Sequence, residues 1–233
     1  DDPIVGPFDV LVRPEAVGIC GSDVHIFRGD ANWNLDTTGQ AIPLSEQPQI
    51  LGHEIAGVVV DVGSKVTATK VGDRVVLDQG LNCASQRRMP WCEYCASGYS
   101  HHCAHYAEHG ITGLPGGFAE LIAMPEVNAV PIRSDLSCAA AAMTEPLACV
   151  LHSLALMKSL GGRFHFNAPQ NEASVHSVVI CGAGPAGQFF VRAVRSLLDF
   201  QGELIISDPD EAKLAVAAAA GATPVVLGGD ETL

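Results

Sequence analysis

Basic residues are scarce in this chain. Thirteen lysines and arginines stand against 26 aspartates and glutamates, a formal charge of −13, which leaves no basic patch to neutralise the phosphates of a nucleic acid. Nucleic acid is therefore not expected as a partner. Uninterrupted apolar runs are also lacking: the longest such neighbourhood, 138–157, carries Glu145 and Pro146 near its middle, which a lipid-spanning helix rarely tolerates. No membrane segment is expected. The opening residues, DDPIVGPF, have neither the basic nor the apolar region of a secretory signal, and no initiator methionine. A cytoplasmic protein whose true N-terminus lies upstream is the expectation. No repeat of solenoid period is present, and the alanines of 217–220 read as plain helix formers.

Eight cysteines are present, yet 233 residues with 48% hydrophobic content can bury a core without disulfide staples, and the cysteines cluster locally. Metal is the better reading. CEYC at 92–95 with Cys103 gives Cys-x2-Cys-x7-Cys, and Cys83 stands upstream. Four thiolates can enclose a zinc ion and tie down a loop with little apolar content of its own. The fourth position is open between Cys83, which ASQRRMPW separates from Cys92, and an incomplete site or one that borrows a histidine.

Residues 8–130 alternate short β-branched runs with Gly and Pro, as in FDVLVRPEAVGI, HEIAGVVVDVGSKV and GDRVVL; such runs read as antiparallel strands of a barrel-like or sandwich-like domain. Beyond Pro131 the character changes to Ala- and Leu-rich helical stretches with a Ser/Asp start signal. The polar piece 161–174 reads as including a surface loop. From 175 a strand, a glycine turn, a helix, a second strand, an Ala-rich helix and a third strand follow in order, which is βαβαβ. The domains are expected at 1–135 and 136–233.

GAGPAG at 182–187 fits G-x-G-x-x-G. It follows the apolar run SVVIC, opens an amphipathic segment and is followed about 20 residues on by Asp208 after LIIS. Gly182 suits the tight turn, Gly184 the approach of a pyrophosphate and Gly187 the packing of helix on strand. Asp208 would accept hydrogen bonds from the adenosine ribose and repel a 2′-phosphate, favouring NAD over NADP. The alternative is an ordinary glycine turn with an aspartate that caps the next helix.

GICGSDVH at 18–25 frames a thiol, a hydroxyl, a carboxylate and an imidazole between glycines, and reads as a loop aiming polar groups inward. LGHE at 51–54 adds His53 and Glu54. Thiolate, imidazole and carboxylate with room for water make an open, catalytic zinc set. Together with TEPLACVLH and GAGPAG…SDPDEAK, these motifs resemble the zinc-containing medium-chain dehydrogenase/reductase superfamily, especially its sorbitol, threonine and related secondary-alcohol dehydrogenases.

The resemblance covers nearly the whole chain and implies a GroES-like barrel-type catalytic domain followed by a Rossmann doubly wound parallel sheet. It implies that Cys20 and His53 ligate a catalytic zinc, with Glu54 doing so directly or through water, and that Glu145 reaches the metal or relays protons. Ser22 is implied to take the substrate proton, His25 to carry it to solvent and Asp23 to orient His53. Lys213 is implied as a further ribose contact, NAD as the cofactor, an alcohol as the substrate and a homodimer or homotetramer as the assembly. The activity implied is oxidation of a polyol or other secondary alcohol. The alternatives are a hydroxy amino acid such as threonine, a primary alcohol, or a zinc-stabilised homologue without catalysis.

Two departures stand out. The stretch 27–49 is longer than is typical between these motifs and is expected to reshape the substrate mouth; and the sequence stops after the third strand of the nucleotide domain, so a longer protein is expected. His101, His102, His105 and His109 read as surface loop. Cys138, Cys149 and Cys181 read as buried, and His152 and His176 as structural.

Overall fold

A computed structural model describes residues 2–159, 165–166 and 174–228. The polar piece at 161–174 lies outside the described residues except at 165, 166 and 174. The chain forms two compact units, Asp1–Glu145 and Pro146–Leu233.

In the first unit the alternating runs become strands. A five-stranded antiparallel sheet contains β1 (Asp9–Gly18), β2 (Glu54–Val62), β3 (Arg74–Leu77), β6 (Ile122–Pro125) and β7 (Ala129–Pro131), in the order β6-β1-β2-β3-β7. Two short strands, β4 (Gly80–Leu81) and β5 (Ala107–Glu108), pair separately. Alternation in β1 buries Val10 and Val12, which meet Ile55 and Val59 of β2, Val75 and Leu77 of β3, and Ile122 and Met124 of β6 in one cluster. Each of these side chains contributes about 1.5–3 kcal/mol by leaving water. That core stands without covalent help, and all eight cysteines are free thiols. The β1–β2 ladder shifts register at Pro14/Ala16, where proline has no N–H to offer.

Helix α1 (Gly21–Arg28) follows β1, and α2 (Glu93–Ala96) sits in the cysteine lobe. The apolar neighbourhood 138–157 is long and apolar enough by composition to cross a membrane. In the fold it is two helices, α3 (Cys138–Ala142) and α4 (Thr144–Ser159). Ser137 caps α3 by accepting from Ala140 N–H, and Ala141 and Ala142 pack against Ala56 of the barrel.

The second unit has the βαβαβ order read from the sequence: β8 (Ser177–Cys181), α5 (Pro185–Ser196), β9 (Glu203–Asp208), α6 (Glu211–Ala219) and β10 (Thr223–Val226). Its strands are parallel in the order β10-β9-β8. Val150 and Leu154 of α4 join Val191, Leu204, Ile206 and Leu214 in its core.

Candidate catalytic and cofactor sites

The stretch read as a turn at 18–25 is largely helical. Cys20 is the N-cap of α1 in extended conformation, and Asp23, at the third helical position, accepts the Cys20 N–H at 2.8 Å through Oδ2. This is a capping box with a cysteine where serine or threonine usually stands. Gly29, at φ 80°, closes the helix in left-handed conformation. The other oxygen of Asp23 accepts the Gly52 N–H at 2.9 Å. One buried carboxylate thus fastens the segment bearing Cys20 to the segment bearing His53.

The ligand atoms of Cys20, His53 and Glu54 lie within 4.8 Å of one another. His53 and Glu54 are 3% and 5% exposed. Glu54 pairs with Gly18 across β1 and β2, and a side chain on Gly18 would strike its carboxylate, so the glycine makes room for it. Ser22 Oγ lies 3.4 Å from His53 Nε2, and Asp23 Oδ1 lies 3.5 Å from His53 Nδ1. The second distance is at the outer limit of hydrogen bonding, so the attraction of Asp23 for the ring is mainly electrostatic.

Burial works against charge on the His53 ring, but the Cys20 sulfur and the charges of Asp23 and Glu145 outweigh it and push the imidazole up to about 9. Hydrogen bonding to His53 lowers the Cys20 thiol, with help from Ser22 against the opposing effect of burial. Burial raises Glu54, and the nearby Glu145 charge raises it further. Glu145, at the start of α4, accepts a hydrogen bond from Gln79 Nε2 at 3.0 Å. His25 is exposed and lies 3.6 Å from Asp30. A half-buried thiol set closely against a buried imidazole and a buried carboxylate, with compensating charge among them, fits a divalent zinc ion.

The fourth cysteine of the lobe is in place. Cys83, Cys92, Cys95 and Cys103 bring their sulfurs within 4.8 Å of one another. Cys83 and Cys92 Sγ lie 3.7 and 3.8 Å from Cys103 Sγ. The residues between Cys83 and Cys92 double back: Asn82 Oδ1 accepts from Ala84 and Ser85 N–H, and Arg88 N–H returns to Cys83 O. Arg87 lies 3.5 Å over the Phe8 ring, tying this turn to the barrel. The N–H groups of Cys92, Cys95 and His105 point at the sulfurs of Cys83, Cys92 and Cys103. Donors aimed at sulfur favour thiolates, and four converging thiolates fit a closed zinc site.

In the second unit the glycine motif makes the turn from β8 into α5. Gly182 takes φ 96° and donates to Ser207 O at 2.8 Å; Gly184 is the N-cap of α5, with Pro185 in its first turn. A Cβ on Gly187 would collide with the Gly182 carbonyl, whereas one on Gly182 or Gly184 meets nothing within 4 Å. The outer side of the loop is thus open to a ligand, and its inner side admits no side chain. Asp208, at the end of β9, accepts Ala183 N–H at 2.7 Å and Asp210 N–H at 2.8 Å. Those two donors hold its carboxyl below the usual range. The helix-capping role that was the alternative for Asp208 falls to Asp210, which accepts from Ala212 and Lys213 N–H. Lys213 Nζ lies 3.4 Å from Asp210 Oδ2.

Some expectations need correction. His101, His102 and His105 are exposed as read, but His109 is 7% exposed, and its Nδ1 lies 2.7 Å from Pro115 O. It belongs to the framework. Cys138 is buried, while Cys149 and Cys181 are exposed. Gln79 and Asn128 carry no motif, and sequence reasoning missed both.

An antiparallel barrel-type domain with a Cys/His/Glu set and a four-cysteine lobe thus precedes, in one chain, a parallel βαβαβ unit with a glycine-loop turn. Residues 6–134 match the alcohol dehydrogenase GroES-like domain, and the chain belongs to that family. It is 33% identical over 232 residues to an L-threonine 3-dehydrogenase of Rhizobium johnstonii, covering 99% of this chain and 58% of the relative. It is 30% identical to an L-idonate 5-dehydrogenase of Vitis vinifera, covering 96% of this chain and 53% of that one. A crystal structure of a zinc-binding dehydrogenase from Sinorhizobium meliloti, bound to NADP, superposes with a TM-score of 0.72 at 32% identity, over 96% of this chain and 56% of that one. The chain therefore spans little more than half the length of these relatives.

Proposed function

We propose that this protein is a zinc- and NAD-dependent dehydrogenase of a polyol or other secondary alcohol. The observation that carries the reading is the convergence of Cys20, His53 and Glu54 within 4.8 Å beside Ser22. Zinc held by these three would withdraw charge from an alcohol oxygen and lower its pKa, and a nicotinamide would accept the hydride. Ser22 takes the hydroxyl proton as it loosens, and His25, exposed beside Asp30, passes it to solvent. Asp23 holds the His53 ring in orientation, the part an acceptor on the second nitrogen plays for ligating histidines. Glu145 supplies a further negative charge next to His53 and Glu54. Cys83, Cys92, Cys95 and Cys103 would hold a second, structural zinc.

Gly182, Gly184 and Gly187 form the pyrophosphate loop, with Asp208 and Lys213 serving the adenosine ribose. The Asp208 carboxylate supports NAD, because a 2′-phosphate brought against it would be repelled. A threonine-like hydroxy amino acid is the second reading, favoured by the Rhizobium johnstonii relative.

A panel of polyols, secondary and primary alcohols and threonine, followed by the absorbance of reduced nicotinamide on the full-length protein, tests the proposal. Reduction of NAD by a secondary alcohol or polyol is the expected result, at least roughly 100-fold more efficient than reduction of NADP, and Asp208→Ala should cut that preference about tenfold or more. A protein that reduces neither cofactor with any alcohol would refute the activity. Equal use of NADP would refute the cofactor assignment alone.

A further inference from the structure

The structure assigns Gln79 a role beyond any motif: we infer that it is a positioning residue for Glu145, holding that carboxylate beside the Cys20/His53/Glu54 set. The inference rests on the reading of that set as a catalytic zinc site. It begins with a backbone that has little freedom. Asp78 N–H donates to Asn128 O at 2.8 Å, and the Asn128 side-chain amide donates to both Asp78 O and Gly80 O, each at 2.8 Å. The carbonyl of Gln79 accepts His109 N–H at 3.0 Å, and Gly80 N–H is held by Asp78 Oδ1. All three carbonyls from 78 to 80 are thus engaged. Asn128 is 2% exposed, so water cannot readily replace this clamp. The bond from Gln79 Nε2 to Glu145 Oε1 leaves from that fixed point and joins residues 66 positions apart.

The chemistry of the donor fits the task. Glu145 acts on His53 and Glu54 through its charge. A lysine or arginine at 79 would neutralise that charge and repel a divalent cation. A hydrophobic residue would leave a partly buried carboxylate short of a donor, which is costly. A neutral amide orients the carboxylate and leaves its charge available to the site.

The test uses the full-length protein, with the metal of the Cys20 site exchanged for cobalt. Gln79→Met keeps the length of the side chain and removes the donor; Gln79→Asn keeps the amide, draws it back by one methylene and serves if the first variant folds poorly. Expected are a shifted cobalt d–d absorption, metal retention against a chelator weakened about 10–100-fold and kcat lowered in the same range, with KM for the cofactor changed little. In a Glu145→Gln background the same Gln79 substitutions should add nothing, because the group they position is gone.

Additive losses in the double variants would overturn the inference in favour of a general structural role. So would an unchanged cobalt spectrum and metal retention in Gln79→Met while Glu145→Gln alters both, and that outcome would leave the zinc-site reading standing. If Glu145→Gln itself changes neither, the participation of Glu145 fails and the role of Gln79 with it.

Discussion

Replacing Cys20 by alanine is expected to lower the zinc content of the full-length protein from two ions per chain to one and to abolish dehydrogenase activity while leaving the fold. The loss should be at least about 1,000-fold in kcat/KM, since polarisation by a metal is worth several kcal/mol and each 1.36 kcal/mol is tenfold. The fold survives because Cys20 lies outside the barrel core and its backbone N–H, which alanine keeps, is what the Asp23 carboxylate holds. Elemental analysis with a thermal melt checks both halves. Unchanged zinc content in this variant would refute the assignment of the site.

The same site predicts a pH dependence. In the metal-free protein His53 is pushed up to about 9, against the effect of burial, chiefly by the Cys20 sulfur. Zinc must therefore displace a proton from His53 at neutral pH, and its measured affinity should climb as pH rises toward 9 and level off above. The linked contribution to stability of the metal-free form has the opposite sense: a raised histidine pKa stabilises fully below its unfolded value of about 6.5 and is lost as pH rises through the folded value. In Cys20→Ala the His53 ring loses its chief support, so the pH at which the metal-free form sheds its His53-linked stability should move down. Chelator competition between pH 6 and 9 measures the affinity slope of the unsubstituted protein, and thermal melts of the two metal-free forms over the same range measure the stability slope.

Cys103→Ser is expected to remove the other zinc and to act on stability before chemistry. Around Cys83, Cys92, Cys95 and Cys103, Tyr106 is the one partly buried apolar neighbour among the described residues, while Met89, Trp91, Tyr94 and Tyr99 are exposed. Nothing in that set replaces four metal bonds, and structural zinc sites supply folding energy outright. The loss should exceed about 4 kcal/mol, at the upper end for single substitutions. A lower Tm and preferential proteolytic cleavage within 84–102 are the expected signs. The remaining zinc should stay at Cys20, so the protein that is still folded at low temperature keeps its cobalt spectrum there. A variant with wild-type Tm would show that the lobe does not depend on metal.

Residues whose chemistry is rare carried most of what could be read beforehand. Clustered cysteines, a histidine beside a glutamate, and glycines between two apolar runs each have few structural uses, and the fold brings together the sets they named. The βαβαβ order was legible because continuous apolar strands, helix-forming runs and turn glycines succeed one another without ambiguity. Residues whose meaning depends on a distant partner were not. A cysteine is an unusual N-cap, so the helix at 21–28 was hidden behind two glycines. His109 looked like its exposed neighbours because only the fold brings Pro115 O to its ring. Cys181 was expected inside because a parallel strand is usually covered on both faces, yet β8 alternates between partly buried and exposed residues. The pairing of Gln79 with Glu145 across 66 positions has no periodic signature.

Asp23 fastens two distant stretches through their peptide N–H groups, at Cys20 and at Gly52, and neither of those groups is a metal donor. The span between sulfur and imidazole is therefore gauged by the polypeptide rather than by whatever ion enters. A gauge of fixed width sorts cations by how well their preferred bond lengths and angles match it, so copper or nickel, which favour square-planar surroundings, would sit there in strain despite strong intrinsic affinity for such donors. Zinc, indifferent to angle, would not.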